Sequence, residues 1–137
     1  MIVLDTHVLI WAVEGERRLG ADATAAIEAA GQADEVGISA ITPWEIALLA
    51  ERGRLRLTRE VGAWIKVALA LPGIRLIPLE PDIAADSVRL PGAFHADPAD
   101  HLIVATARQY GAPLFTADYA ILSYAAGGHV QAIDALR

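Results

Sequence analysis

Short apolar runs alternate along the chain with longer stretches of helical periodicity, and turn residues bound both kinds of segment. IVLD at 2–5 and GIRLIPL at 73–79 are too short for helices and are typical of buried strands. The helical stretches begin at capping residues or prolines, and two of them end at Gly53 and Gly111. The pattern predicts strands at 2–5, 35–39, 73–79, 113–118 and 129–133, and helices at about 6–14, 21–31, 42–52, 58–71, 81–90, 97–110 and 119–126.

The order of these segments predicts an α/β fold. Strands alternate with helices throughout, and no Asn-Gly hairpin signal joins two strands directly. This order is typical of a three-layer α/β/α domain with a central parallel sheet, here of about five strands, flanked by helices. No internal repeat or linker divides the sequence, so we predict a single domain over residues 1–137.

Composition narrows the class of protein. Hydrophobic residues make up 55% and charged residues 20%, which favours a globular chain over a disordered one. No apolar run approaches the roughly 20 residues of a membrane span, and no signal peptide is recognisable at the N-terminus. The chain has no cysteine, so disulfides and thiolate metal sites are excluded. These features predict a cytoplasmic protein.

Acidic residues recur where the predicted strands end. Asp5 ends the first strand, Glu45 lies in the first turn after the second, and Asp118 ends the fourth. Because the carboxyl ends of parallel strands share one edge of a sheet, these acids are expected to meet there. Asp100 joins them if the segment Pro91–Ala96 returns the chain to the same edge.

Each acid also has a simpler interpretation as a helix-capping residue. Thr42 and Glu45 match the spacing of a capping box, and Asp97 before Pro98 matches an N-cap. Four acids in one cleft would repel one another, however, and a divalent cation would remove that cost. The four histidines lack paired ligand spacing, so we favour a carboxylate site for Mg²⁺ or Mn²⁺ over coincidental capping.

Four ordered motifs carry a family resemblance: VLDTHVLIW, SAITPWEIALL, DPADHLIVATA and LFTAD. Together they resemble the PIN domain, and more closely the VapC-type toxin ribonucleases of type II toxin–antitoxin pairs, over nearly the whole chain. The family's acidic quartet falls on Asp5, Glu45, Asp100 and Asp118, with Thr6, Asp97 and Thr116 beside it.

The resemblance implies Mg²⁺- or Mn²⁺-dependent hydrolysis of RNA phosphodiester bonds. Asp5 and Asp100 are then expected to bind the metal directly, while Asp118 and Glu45 complete the metal site, either directly or through water. It also implies a homodimer and a small antitoxin partner, in a heterotetramer or larger complex. The family branch often has arginine where this chain has His101, which puts any contact of that arginine in doubt. We expect His101 to face solvent.

The distribution of charge leaves the role of one basic segment open. The net charge of −6 argues against general polyanion binding, yet four arginines lie close together after the Glu45 helix: Arg52, Arg54, Arg56 and Arg59. They could contact RNA or antitoxin, or simply form a solvated helix end.

Nucleotide-binding glycine loops are absent, and Asp5-Thr6-His7 lacks the second acid of a dehalogenase-type phosphatase. The main alternative function is a PIN-like domain that binds RNA or a partner without cleavage.

Overall fold

A computed structural model describes residues 1–137, and its centre is one sheet of five parallel strands in the order β3-β2-β1-β4-β5. The strands are β1 (Ile2–Leu4), β2 (Val36–Ser39), β3 (Ile74–Ile77), β4 (Leu114–Thr116) and β5 (Ala132–Asp134). The helices are α1 (Thr6–Glu14), α2 (Ala21–Gln32), α3 (Ile41–Glu51), α4 (Val61–Leu69), α5 (Pro81–Ser87), α6 (Pro98–Tyr110) and α7 (Tyr119–Ala125). None of these helices combines the length and apolar character needed to cross a membrane.

Both faces of the sheet are covered by helices. Neighbouring residues of a strand point to opposite faces, so Val3 and Leu4 belong to two different cores. The core containing Val3 also includes residues of α5, α6 and α7, and the core containing Leu4 includes residues of α1, α2, α3 and α4. The predicted three-layer α/β/α fold with a parallel sheet is therefore confirmed.

The strand order reverses direction between β1 and β4. The chain first builds β1, β2 and β3 towards one side and then places β4 and β5 on the other side of β1. In open parallel sheets a crevice forms beyond the carboxyl ends of the strands at such a switch point. Asp5 directly follows β1 and Asp118 lies two residues beyond β4, so both acids flank this crevice.

The predicted capping box at the start of α3 does not form. The helix begins at Ile41 with Ala40 at the N-cap, one residue before the predicted start. Thr42 is buried, and its hydroxyl lies 3.3 Å from that of Thr6. Glu45 accepts a hydrogen bond from the Thr6 side chain instead of capping its own helix. A contact with a distant part of the chain has overridden the local motif.

Strands β3 and β4 are shorter than predicted, and three other boundaries are each shifted by three residues. Helix α4 begins at Val61, because the carboxylate of Glu60 accepts hydrogen bonds from the next turn. Helix α5 ends at Ser87 instead of about Leu90, and β5 covers 132–134 instead of 129–133.

The segment Pro91–Ala96 is held in place by aromatic side chains. The Tyr124 hydroxyl donates a 2.6 Å hydrogen bond to the carbonyl oxygen of Pro91. The ring of Phe94 stacks on Tyr124 with 4.5 Å between ring centroids. These contacts bring the chain back to the carboxyl edge of the sheet before α6 begins, which is the return on which the placement of Asp100 depended.

Gly73 is required by the close approach of two backbones. It has φ +87°, and a Cβ atom there would lie 2.2 Å from the carbonyl oxygen of Gly31 in α2. We expect Gly73→Ala to lower the free energy of unfolding by about 3 kcal/mol, from left-handed strain and overpacking together. Urea denaturation measures this change. Gly15→Ala is the matched control, since Gly15 has φ +66° with no atom near its Cβ position, and it should cost only about 1–2 kcal/mol. Equal losses in both variants would refute the backbone contact.

Candidate active site

A cavity of about 340 Å³ opens at the carboxyl edge of the sheet, and five carboxylates line it. All four acids of the predicted quartet are present, and Asp97 is the fifth. The full lining is Asp5, His7, Trp11, Glu45, Leu49, Asp97, Asp100, Ala117 and Asp118. Residues from four separate parts of the sequence have therefore been brought to one place by the strand order.

Asp5 is the most deeply buried of these acids, with only 6% of its surface exposed. Its Oδ1 atom accepts a 2.8 Å hydrogen bond from the backbone N–H of Thr6, and its Oδ2 atom accepts a 2.7 Å bond from the Thr116 hydroxyl. Each carboxylate oxygen can accept two bonds, so each retains a free lone pair. The side chain is thus fixed in orientation while keeping capacity for a ligand.

Two threonines link Asp5 to its acidic neighbours. The Thr6 hydroxyl donates to Glu45, and the Thr116 hydroxyl accepts a 3.0 Å bond from the backbone N–H of Asp118. Asp118 in turn caps α7 by accepting a 2.8 Å bond from Ala120 N. The capping interpretation of Asp118 therefore holds, and one of its carboxylate oxygens remains unused by the protein.

Asp97 and Asp100 enter the cavity from the start of α6. Asp97 occupies the N-cap position predicted for it, but its side chain makes no capping hydrogen bond. Asp100 lies one turn later and is half-buried. Burial and the negative charges of Asp5 and Glu45 raise the pKa of Asp100 to about 7, with smaller contributions from the remaining two acids.

Burial also raises the pKa of Asp5 and of Glu45. For Asp5, hydrogen bonds from Thr116 and Thr6 oppose this effect, and for Glu45 the Thr6 hydroxyl does so. An electrostatic interaction with His7 lowers both pKa values. The cluster is therefore electrostatically strained in the absence of a cation, because each carboxylate makes ionisation of the others more costly.

This strain predicts a pH dependence of stability in chelator-treated protein. A carboxyl group with a raised pKa in the folded state stabilises the fold fully below its ordinary pKa of 3.8, and that contribution is lost as pH rises through about 7. We expect the thermal midpoint in EDTA to decrease as the pH is raised from about 4 to about 7. Differential scanning calorimetry measures it, and the slope should be smaller in Asp100→Asn. An identical slope in parent and variant would contradict the role of Asp100.

The carboxylate oxygens of the cavity suit a hard divalent cation chemically, although they do not converge on one point. All the acidic ligands are carboxylate oxygens, which Mg²⁺ and Mn²⁺ prefer. No three of the Asp, Glu and His side chains converge closely enough to form a ready metal site. Mg²⁺ is usually held by one or two carboxylates with water and substrate phosphate, so a fully convergent cage is not needed.

Four cavity residues were not predicted from the sequence as part of the site: His7, Trp11, Leu49 and Ala117. His7 and Trp11 are four residues apart on α1, and Leu49 is four residues after Glu45 on α3. Residues with this spacing lie on the same helix face. Helical periodicity counted from Glu45 would therefore have identified Leu49, whereas His7 and Trp11 do not follow from Asp5 by this rule.

The predicted arginine cluster lies in the segment between α3 and α4. Arg52, Arg54, Arg56 and Arg59 are all exposed, and none of them forms an ion pair. The segment is fastened to the end of α1, because Glu14 accepts hydrogen bonds of 3.2 and 3.1 Å from the backbone and hydroxyl of Thr58. The arginines therefore lie outside the cavity lining but next to the helix that contributes Trp11 to it.

The expectation that His101 simply faces solvent is wrong. Its side chain is half-buried, and its Nδ1 atom lies 3.1 Å from the carbonyl oxygen of Ser87. Its ring also packs against Phe94 at 4.8 Å between centroids. His101 therefore helps to fix the segment that leads into α6, and it does not line the cavity.

Comparison with known proteins identifies the family. The family model described as PIN domain matches residues 2–127. The chain is 38% identical over 123 residues to "Ribonuclease VapC22" of Mycobacterium tuberculosis (strain ATCC 25618 / H37Rv), a match that covers 90% of this chain and 91% of the relative.

Solved structures share the fold at lower sequence identity. One is VapBC2 from Rickettsia felis bound to a DNA fragment from its promoter, with a TM-score of 0.69 and 16% identity over 97% of this chain and 98% of that chain. Another is FitAcB from Neisseria gonorrhoeae, with a TM-score of 0.60 and 24% identity over 98% of this chain and 97% of that chain. At these identities the likeness supports the arrangement of strands and helices described above.

Proposed function

The chain belongs to the PIN-domain family, and from that premise we propose that it is a divalent-metal-dependent endoribonuclease, the toxin of a toxin–antitoxin pair, with one domain over residues 1–137. The observation that carries the proposal is a single cavity lined by five carboxylates, none of which is neutralised by lysine or arginine. A merely structural cluster of buried acids would be costly without such partners.

We assign the catalytic role to Asp5, Glu45, Asp100 and Asp118. Asp5 and Asp100 are the proposed direct ligands of Mg²⁺ or Mn²⁺, because Asp5 is fixed with free lone pairs and Asp100 has no hydrogen bond from the protein to compete with a ligand. Asp118 and Glu45 complete the metal site. Thr6 and Thr116 orient these carboxylates through their hydroxyl groups.

When bound, a divalent cation lowers the pKa of water in the cleft and neutralises negative charge on the phosphoryl oxygens. The protein's own contribution is to hold the carboxylates in place before substrate arrives. Asp5 cannot rotate without breaking two hydrogen bonds, and the Thr6 hydroxyl restrains Glu45. Asp97 adds negative potential at the cavity without being fixed by a hydrogen bond.

RNA and an antitoxin are the proposed partners. The curated relative is named a ribonuclease, and the solved structures of similar fold include complexes described as VapBC2 and as a toxin–antitoxin complex. Exposed aromatic residues are candidates for the contacts with antitoxin or with a second copy in the proposed homodimer, and they include Trp44, Tyr110 and Tyr119. The cytoplasm is the proposed location.

The test of the function is cleavage of a mixed single-stranded RNA pool by purified protein with Mg²⁺ or Mn²⁺. We expect metal-dependent cuts that leave 5′-phosphate and 3′-hydroxyl ends, and loss of these cuts in Asp5→Asn. The alternative is a PIN-like domain that binds RNA or a partner without cleavage. Equal inertness of parent and Asp5→Asn with both metals on all RNAs would favour that alternative.

The exposed arginines at 52, 54, 56 and 59 are proposed to contact RNA or the antitoxin. They are outside the cavity lining, and hydrogen bonds from Thr58 to Glu14 hold their segment against the end of α1, which supports a path for the RNA strand from the cavity towards them. Exchange of Arg54 and Arg56 for glutamate should weaken RNA binding if RNA is the ligand, and antitoxin binding if it is not. If the affinities for RNA and for antitoxin were both unchanged, the arginines would form a solvated helix end without a role in binding.

A further inference from the structure

The acidic cavity creates a difficulty for a polyanionic substrate. Five carboxylates surround the proposed cleavage point, and a bound cation neutralises only part of that charge. An RNA strand also carries phosphates on either side of the bond that is cut. Affinity for such a strand depends on cationic side chains that neutralise those flanking phosphates. A positive group at the mouth of the cavity would meet this need.

Arg18 is the cationic side chain that the structure attaches directly to the cavity wall. Its guanidinium carbon lies 4.8 Å from the ring centroid of Trp11, and Trp11 lines the cavity. The indole is only 8% exposed, whereas the Arg18 side chain is 59% exposed. The ring is therefore a fixed platform in the wall, and the arginine lies over it on the solvent side.

The stacked geometry leaves the guanidinium free to bind an anion. Its only charged partner is Glu16, at 3.6 Å and itself exposed, a pair that contributes little in water. A guanidinium has five N–H donors in one plane. When its face lies on an aromatic ring, the donors at the edge remain available to phosphate oxygens, and the ring limits the orientations that binding must fix.

We propose that Arg18, held on the Trp11 ring, binds the RNA phosphate next to the scissile one and so positions the substrate in the cavity. This inference rests on the proposed nuclease function. The segment that carries the exposed arginines between α3 and α4 is joined by the Glu14–Thr58 hydrogen bonds to the end of α1, close in sequence to Arg18. The strand would pass from the acidic cavity over Arg18 towards those arginines.

RNA binding in the absence of cleavage tests the proposal. A fluorescent single-stranded RNA is titrated with Asp100→Asn protein, with and without Arg18→Ala, over a series of salt concentrations. We expect Arg18→Ala to weaken binding about tenfold, as for the loss of one charge-assisted contact. The slope of log K against log salt should become shallower by about 0.7, the change for one lost phosphate contact on a single strand.

Two further variants separate substrate contact from a structural role. Arg18→Lys keeps the charge and should restore the salt slope with part of the affinity. Arg75→Ala removes an exposed arginine of the edge strand β3, which has no ion pair and is outside the cavity, and should change neither quantity. In the active parent background, Arg18→Ala should raise KM with kcat within about twofold, since a ground-state contact is lost.

The outcomes also separate this inference from the proposed function. If the parent cleaves RNA and Arg18→Ala leaves affinity and salt slope unchanged, the role of Arg18 is refuted and the nuclease remains. If the parent never cleaves, the nuclease and the positioning role that rests on it are both overturned, whatever Arg18 contributes to binding. A lower thermal midpoint in Arg18→Ala with an unchanged salt slope would assign it to packing on Trp11 and refute the inference.

Discussion

Asp100→Asn is expected to reduce RNA cleavage at least about a thousandfold, a loss of about 4 kcal/mol of transition-state stabilisation. The amide keeps the shape of the side chain but removes a proposed metal ligand and one negative charge from the cavity. The same change relieves the repulsion that raises the pKa of Asp100 to about 7. Metal-free protein at about pH 8 should therefore unfold at a higher temperature in the variant than in the parent.

The combination of lost activity and gained stability distinguishes a functional carboxylate from a structural one. Single-turnover cleavage measures the first effect, and calorimetry in EDTA measures the second. Asp97→Asn is the matched control, since Asp97 lines the same cavity three residues earlier but is exposed and makes no capping bond. We expect only about a tenfold loss there, since Asp97 is not a proposed direct metal ligand. Equal losses at both positions, or a destabilised Asp100→Asn, would contradict the assignment.

The arrangement of the site was predictable from the sequence where it follows from strand order. Asp5 and Asp118 follow parallel strands, and parallel strands end at one edge, so recognising the strands places these acids together. Glu45 follows β2 in the same way. Asp100 could not be placed with the same rule, because it precedes a strand and depends on the path of Pro91–Ala96. That path is set by the contacts of this segment with Tyr124, which is distant from it in sequence.

Local motifs gave the wrong result where a tertiary contact competed with them. Thr42 and Glu45 have capping-box spacing, but both side chains lie against Thr6, which follows a different strand. A sequence pattern carries no information on which distant hydroxyl is nearest to a carboxylate. His101 was misjudged for the same reason, since its partners at Ser87 and Phe94 are set by how α6 packs.

Removal of divalent metal is expected to abolish cleavage, and its return should stabilise the folded chain. The five carboxylates share one cavity without converging on a point, so a cation would draw them together and cancel their repulsion. A ligand at about a hundred times its Kd stabilises the folded state by about 2.7 kcal/mol. For a chain of this size that corresponds to a rise of roughly 5–10 °C in thermal midpoint.

The same measurement shows which side chains hold the ion. Mn²⁺ is titrated into EDTA-treated, dialysed protein while the midpoint is followed, and cleavage is assayed in parallel. Asp5→Asn should show a much smaller rise, because Asp5 is the carboxylate that Thr6 and Thr116 fix with lone pairs free. Asp82→Asn is the control, since Asp82 is exposed on α5 outside the cavity and should behave as the parent does. If Mn²⁺ raised the midpoint of Asp5→Asn as much as that of the parent, the ion would be binding elsewhere. If the parent cleaved RNA fully in EDTA, the carboxylates would act without metal and the proposed mechanism would be wrong.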